Sequence, residues 1–324
     1  MVKIPIIAND PWLEPYEEVI RRRKENILNK KQELGGNLSD FANGHMYFGL
    51  HFDEDSWYFR EWAPNAIEIF LTGTFNDWKE SETYSFKNIS SGIWELKLPK
   101  SHISHQDLYK LKIHWKGGSG ERVPAWTNRV VQDPESLIFN AQVWAPETAY
   151  QWKHKKADGV GECPVIYEAH IGMATEDYKV GGYDEFRKKI LPDIKNAGYN
   201  TIQIMAIQEH PYYGSFGYHV SSLFAPSSRF GTPDELKELI DDAHGMGLRV
   251  IMDLVHSHAV KNEVEGLGKY DGTPYQFFHD GPKGLHRLWD SRCFDYGKPM
   301  VIKFLLSNLR YWIEEFCVDG FRFD

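Results

Sequence analysis

After residue 160 the chain repeats one pattern: a short apolar run with strand character, then a longer amphipathic run of helical period. PVIYEAH (164–170) precedes YDEFRKKILPDIKNAG, and NTIQIMAI (200–207) leads on to TPDELKELIDDAHGMG. LRVIMDLV (248–255) precedes PMVIKFLLSNLRYWIEEF, and DGFRFD (319–324) supplies a fourth strand. Apolar strands alternating with helices form parallel β-α units. A doubly wound sheet and a (β/α)8 barrel both satisfy that pattern. No G-x-G-x-x-G turn follows the first strand, so a dinucleotide site has no support and no cofactor is expected.

In a barrel, chemistry collects at the C-terminal strand ends. Here those ends are polar: Glu168 and His170, then Gln208, Glu209 and His210, then Asp253, His256 and His258, then Arg322 and Asp324. Charged groups at four successive strand ends favour the barrel. The region before it is different. Between about residues 45 and 145, stretches such as WYFREWAP, IEIFLTGTF, GIWELKLP and LYKLKIHW alternate with period two and are broken by Gly, Asn, Asp and Pro. That is the pattern of an antiparallel β-sandwich. Residues 10–34 place acids early, bases late and Val19, Ile20, Ile27 and Leu28 at helical spacing, and stop at Gly35-Gly36. They read as one helix with the polarity its macrodipole favours.

Charge and composition exclude several function classes. With 37 basic and 46 acidic residues the formal net charge is −9, so no field attracts a polyanion and nucleic acid is not an expected partner. The start, MVKIPIIANDPW, lacks the order of a secretory signal, and no window approaches the roughly 20 apolar residues that span a bilayer. Cys163, Cys293 and Cys317 are odd in number and far apart, so neither a disulfide framework nor a metal knuckle is readable. A cytoplasmic location and no membrane partner are the expectations.

Arg322 and Asp324 lie two apart on a strand and share one face. A guanidinium beside a carboxylate favours the ionised form, and an ionised, aimed carboxylate can attack an electron-poor carbon. The same pair could instead be an interior ion pair that fixes packing, and these residues alone leave both readings open. Asp253 ends LRVIMD in phase with Ile251 and Val255, which places it in the same interior. Two neighbouring carboxylates fit a metal site, an acid/base pair or a sugar clamp. His256 and His258 form an H-x-H, but without a third ligand at metal spacing the expectation is a histidine that hydrogen-bonds a polar ligand, with no metal. The connection 209–231 is far longer than the usual run of about 2 to 6 residues and carries Tyr212, Tyr213, Phe216 and Tyr218. Aromatics there suit stacking on sugar rings, although some can pack on the loop itself.

DLVHSH (253–258) and DGFRFD (319–324), in that order and on consecutive strands, resemble the first two signature regions of the α-amylase superfamily. YEAHIGMATE (167–176), residues 205–247 and DGPKGLHRLWDSRCFDYG (280–297) are similar to the glycogen and starch branching enzymes. So are the opening helix and REWAPNAIEIFLTGTFNDW (60–78), and the likeness runs from residue 10 onward. It implies an N-terminal helical segment (1–40), a β-sandwich carbohydrate-binding module (41–150), and the first half of a (β/α)8 barrel (151–324). It also implies an α-1,4-glucan substrate (glycogen, amylose or amylopectin) and a retaining transfer that makes α-1,6 branches. Carried over by position, Asp324 is the nucleophile and Arg322 keeps it ionised. Tyr218 stacks on the sugar at the scissile bond, and Asp253 and His258 hydrogen-bond it. The family's general acid, a Glu at the fifth strand end, and a His-Asp pair at the seventh have no counterpart up to residue 324. The expectation for 1–324 alone is therefore marginal stability, from open sheet edges, and no activity. An α-glucan debranching hydrolase and a non-catalytic glycan-binding protein are the competing readings. Of Trp57, Trp78 and Trp94, at least two are expected to be core residues.

Overall fold

The computed structural model describes residues 5–157 and 163–324; the first four residues of the chain start read above lie outside them. The helix Glu17–Glu33 has Glu17 and Glu18 in its first turn and Lys30 and Lys31 in its last, which opposes charge to the helix dipole at both ends. It ends where Gly35 and Gly36 take positive φ, a conformation that other residues adopt at a cost. Its apolar positions do not face a core: Val19, Ile27 and Leu28 are exposed and no residue of the helix is buried.

The β-sandwich follows. One sheet has the order β1 (Gly49–Phe52), β2 (Ser56–Trp62), β5 (Ile93–Pro99), β4 (Lys87–Ser90). The other runs β3 (Ala66–Gly73), β6 (Leu108–Trp115), β9 (Phe139–Gln142), β8 (Val130–Gln132), with β7 (Gly118–Arg122) on β6. All pairs are antiparallel. Alternation sets the inner faces: Trp94, Leu96 and Leu98 of β5 oppose Ile69, Leu71, Leu111 and Ile113, all buried. Trp57 and Trp94 are core residues, and their indole N–H groups donate to the carbonyls of Lys100 and Ile103, and of Ala63, respectively. Trp78 is different, with 39% of its surface exposed.

Four parallel strands build the last region in the order β10 (Ile166–Ala169), β11 (Thr201–Ile204), β14 (Arg249–Leu254), β18 (Gly320–Phe323). Strand order equal to chain order is the barrel arrangement; a doubly wound sheet reverses direction from its first strand. The helical run 183–196 and the helices Pro233–Gly245 and Pro299–Phe316 make the crossovers. Thr232 and Glu235 close a capping box at the start of the second of these, the reciprocal pairing that satisfies otherwise orphaned N–H groups. At the third strand's base, Asp319 accepts from the Val250 N–H and from His244.

Two excursions leave the sheet at its C-terminal end. Between β11 and Pro233–Gly245, β12 (Gln208–Glu209) pairs with β13 (Ser222–Pro226), so the long aromatic connection is in part a hairpin. Between β14 and Pro299–Phe316 stands a three-stranded sheet, β15 (His258–Val260), β17 (Ser291–Cys293), β16 (Leu285–His286). Sandwich and barrel are joined by polar contacts as well as packing. Arg122 donates to the carbonyls of Lys269 and Tyr270, Asn65 to Asp271, and Tyr270 to Glu61. All three cysteines are free, and no helix among the described residues is long and apolar enough to cross a membrane.

Candidate active site

Register places the charged groups. Asp253 on β14 lies opposite Arg322 on β18. Arg322 Nη1 donates to Asp324 Oδ1 at 2.8 Å and reaches Asp253 Oδ2 at 3.4 Å. One guanidinium therefore bridges both carboxylates. Burial works against its charge, but Asp253 and Asp324 outweigh this and raise its pKa further.

Asp253 is fully buried. Tyr218 Oη donates to its Oδ2 at 2.5 Å, and Gln203 Nε2 donates to its Oδ1 at 2.9 Å while also reaching Glu168 Oε1 at 3.0 Å. Burial raises the Asp253 pKa, and these donors with Arg322 offset part of that. Burial and the Asp253 bond push the Tyr218 hydroxyl up, which keeps it a donor. Tyr218 reaches this position because Gly217 precedes it: at φ +89° the backbone runs so close to the Ala206 carbonyl that an added Cβ would stand 1.8 Å from its oxygen.

His258 is oriented from both ring nitrogens. Nε2 lies 3.1 Å from the Tyr218 carbonyl and Nδ1 2.9 Å from Ser257 Oγ. A carbonyl only accepts, so Nε2 carries the proton, and burial lowers the pKa to favour this neutral ring. A cavity of about 410 Å³ opens above these groups, lined by Tyr212, Tyr218, His219, His258, Trp289 and Asp324 among others. Asp324 is the one carboxylate lining it among the described residues. Asp253 does not line it; it stands behind Tyr218, whose hydroxyl covers it.

The other polar strand-end residues turn inward. Glu209 is fully buried and accepts from Ser227 Oγ, Ser228 N and Oγ, and His210 N. His256 Nε2 donates to Asn308 Oδ1 at 2.9 Å, which Gln208 also reaches. Burial brings the His256 pKa down to about 4. His256 and His258 thus have separate partners and do not act as a pair, and no cluster of three or more His, Cys, Asp or Glu among the described residues is placed to hold a metal ion. Polarity at these strand ends is not by itself a sign of function: Gln208, Glu209, His210 and His256 spend it on holding the loops. Sequence reasoning missed Gln203, whose signal was a lone amide inside the apolar run NTIQIMAI.

Residues 47–136 match the family carbohydrate-binding module 48 (isoamylase N-terminal domain), and residues 180–281 match the α-amylase catalytic domain family. The chain is 46% identical over 98% of its length to a 1,4-α-glucan-branching enzyme of Dictyostelium discoideum, of which it covers 48%. It is 47% identical over 99% of its length to that of Yarrowia lipolytica, again covering 48%, and 45% identical over 98% to that of Felis catus, covering 47%.

Over nearly its whole length the chain is similar to the 1,4-α-glucan-branching enzymes.

It spans about half the length of the curated branching enzymes it matches. Solved structures add the fold: the pullulanase of Bacillus acidopullulyticus superposes with a TM-score of 0.70 at 21% identity, over 86% of this chain and 38% of that one. A group B streptococcal pullulanase in complex with maltotetraose gives 0.73 at 19% identity, over 86% and 42%. These pullulanases thus share the architecture, while the sequence sides with the branching enzymes.

Proposed function

We propose that this chain supplies the nucleophile and the first sugar-binding wall of a 1,4-α-glucan branching reaction. The observation that carries the proposal is the Arg322-held Asp324 facing a cavity walled by Tyr218 and His258. In that reaction Asp324 attacks the anomeric carbon of an α-1,4 link. The C–O bond to the leaving 4-hydroxyl breaks, and the cut segment stays on the carboxylate as a glycosyl ester. A 6-hydroxyl of another glucan chain then displaces Asp324 and gives its proton to the group that protonated the leaving oxygen, so one α-1,4 link becomes one α-1,6 link with net retention. Tyr218 stacks on the reacting sugar, neutral His258 packs beside it while its Nε2–H holds the Tyr218 carbonyl, and Asp253 orients Tyr218 and Arg322. The leaving oxygen also needs a proton from a second carboxyl about 5 to 5.5 Å from the nucleophile, and Asp253, already accepting from three donors, is not free to give one.

Linkage analysis of amylose treated with the protein expressed from its complete gene tests this. New α-1,6 links without new reducing ends are expected; new reducing ends without α-1,6 links would replace branching with hydrolysis. Chain 1–324 alone is expected to leave amylose unchanged by iodine staining.

The β-sandwich would hold glucan. Trp57 and Trp94 cannot serve, since both are buried with their N–H groups bonded; Trp78, half exposed and 5.9 Å from Lys110 Nζ, can. Trp78→Ala is expected to lower retention on insoluble glycogen severalfold with no change in thermal midpoint, and unchanged retention would move the binding face elsewhere.

A further inference from the structure

The segment 280–297 crosses the active end of the barrel, yet none of its residues has a role in the reading above. It folds as the hairpin β16–β17, and Trp289 stands at its tip. The indole stacks on the His286 imidazole with centroids 4.5 Å apart and planes 12° from parallel. Its own backbone N–H donates to His286 Nδ1 at 3.3 Å, and the turn is tied down beyond it by the Asp290–Lys261 ion pair at 2.5 Å. The ring is thus fixed in orientation, but 49% of Trp289 stays exposed.

That exposure falls on the active-site cavity. Trp289 lines it together with Asp324 and Tyr218, and its ring lies 5.1 Å from that of His258. The wall that holds the reacting sugar therefore continues through His258 onto an indole. With His286 covering one face of the ring, the free face is a flat apolar surface beside polar groups. The C–H face of a pyranose is matched by such a surface, and its hydroxyl rim by the histidines. Tyr212, 66% exposed and from a different loop, lines the same cavity.

We propose that Trp289, held flat by His286, is the stacking platform for the glucosyl unit next to the one held at Asp324, and so sets the site's preference for an α-1,4-linked chain over a single sugar. The inference rests on the reading of Asp324 and Tyr218 given above, and it makes Trp289 a specificity-determining residue.

The test uses the protein expressed from its complete gene and carrying Asp324→Asn, so that glucan binds without turnover. Calorimetric titration with maltoheptaose is compared with titration by deoxynojirimycin, an iminosugar that mimics one glucosyl unit. Trp289→Ala is expected to weaken maltoheptaose roughly tenfold, the scale of one lost aromatic contact, and to leave the iminosugar within about twofold. Trp289→Tyr keeps a ring and is expected to restore most of the loss. In the active protein, Trp289→Ala raises KM for amylose with a smaller change in kcat. Unchanged maltoheptaose affinity in Trp289→Ala, or equal loss of both ligands, overturns the proposal while leaving Asp324 and Tyr218 in their roles. A parent protein that binds neither ligand overturns both readings together.

Discussion

Asp324→Asn in the protein expressed from its complete gene is expected to lower the rate of glucan transfer on the order of 10⁴-fold or more, the scale seen when a covalent nucleophile is removed. The amide is nearly isosteric but cannot form the glycosyl ester. The fold should not notice. Asp324 is partly exposed and its one described charged partner, Arg322, keeps Asp253 at 3.4 Å, so stability should stay within about 0.5 kcal/mol. Asp253→Ala provides the contrast. It leaves Arg322, the Tyr218 hydroxyl and the Gln203 amide without the buried acceptor they share, so transfer and stability fall together. Mass spectrometry of acid-quenched reactions separates the roles: a glycosyl adduct should form on the wild type and be absent from Asp324→Asn. An adduct on the variant, or transfer retained at a tenth of the wild-type rate, would remove Asp324 from the chemistry.

Much of this site is legible in the sequence because its parts lie close together along the chain. Arg322 and Asp324 share a face by strand period alone, and the repeat of strand and helix places Asp253 one strand away. The hydrogen-bond register then brings Asp253 and Arg322 opposite each other. What could not be read is which polar groups face ligand and which face protein. Glu209 and His258 look alike in a sequence, as polar residues just past an apolar strand. Glu209 is consumed by Ser227 and Ser228 across the β12–β13 hairpin, a pairing that depends on how a long loop folds back. Helical period likewise located the helix Glu17–Glu33 but not its surroundings, and its apolar side chains lie in solvent. Trp289 belongs to the same class of omission, since nothing in LHRLWDS says that the indole ends beside His258.

The sandwich strand REW hides the least legible feature, a carboxylate buried between domains. Glu61 is fully buried; its oxygens accept from Tyr270 Oη at 2.7 Å, the Ala125 N–H at 3.2 Å and the Trp62 N–H at 2.9 Å. Burial dominates these bonds and raises its pKa from 4.5 to about 7. A carboxyl raised on folding favours the folded state in its protonated form. Its contribution is whole below the unfolded value of 4.5 and is lost as pH rises through about 7. Above that, the buried charge costs ~3 kcal/mol by linkage, a large share of an ordinary domain's stability. The wild-type thermal midpoint should therefore fall between about pH 5 and pH 7, and Glu61→Gln, whose one carbonyl oxygen can still accept from Tyr270 and Ala125 but not also from the Trp62 N–H, should flatten that fall and be the more stable protein at pH 8. The comparison has to be between the two proteins. His244, whose pKa Asp319 raises against the effect of burial, loses its own contribution as pH rises above its ordinary value of 6.5, equally in both. Parallel midpoint curves for wild type and Glu61→Gln would show that Glu61 stays ionised or hydrated at the domain junction. Convergence only toward pH 5 would place the pH sensitivity of the sandwich–barrel contact on this one carboxyl, because Tyr270, its closest hydrogen-bonding partner, reaches it from the barrel's own excursion after β15.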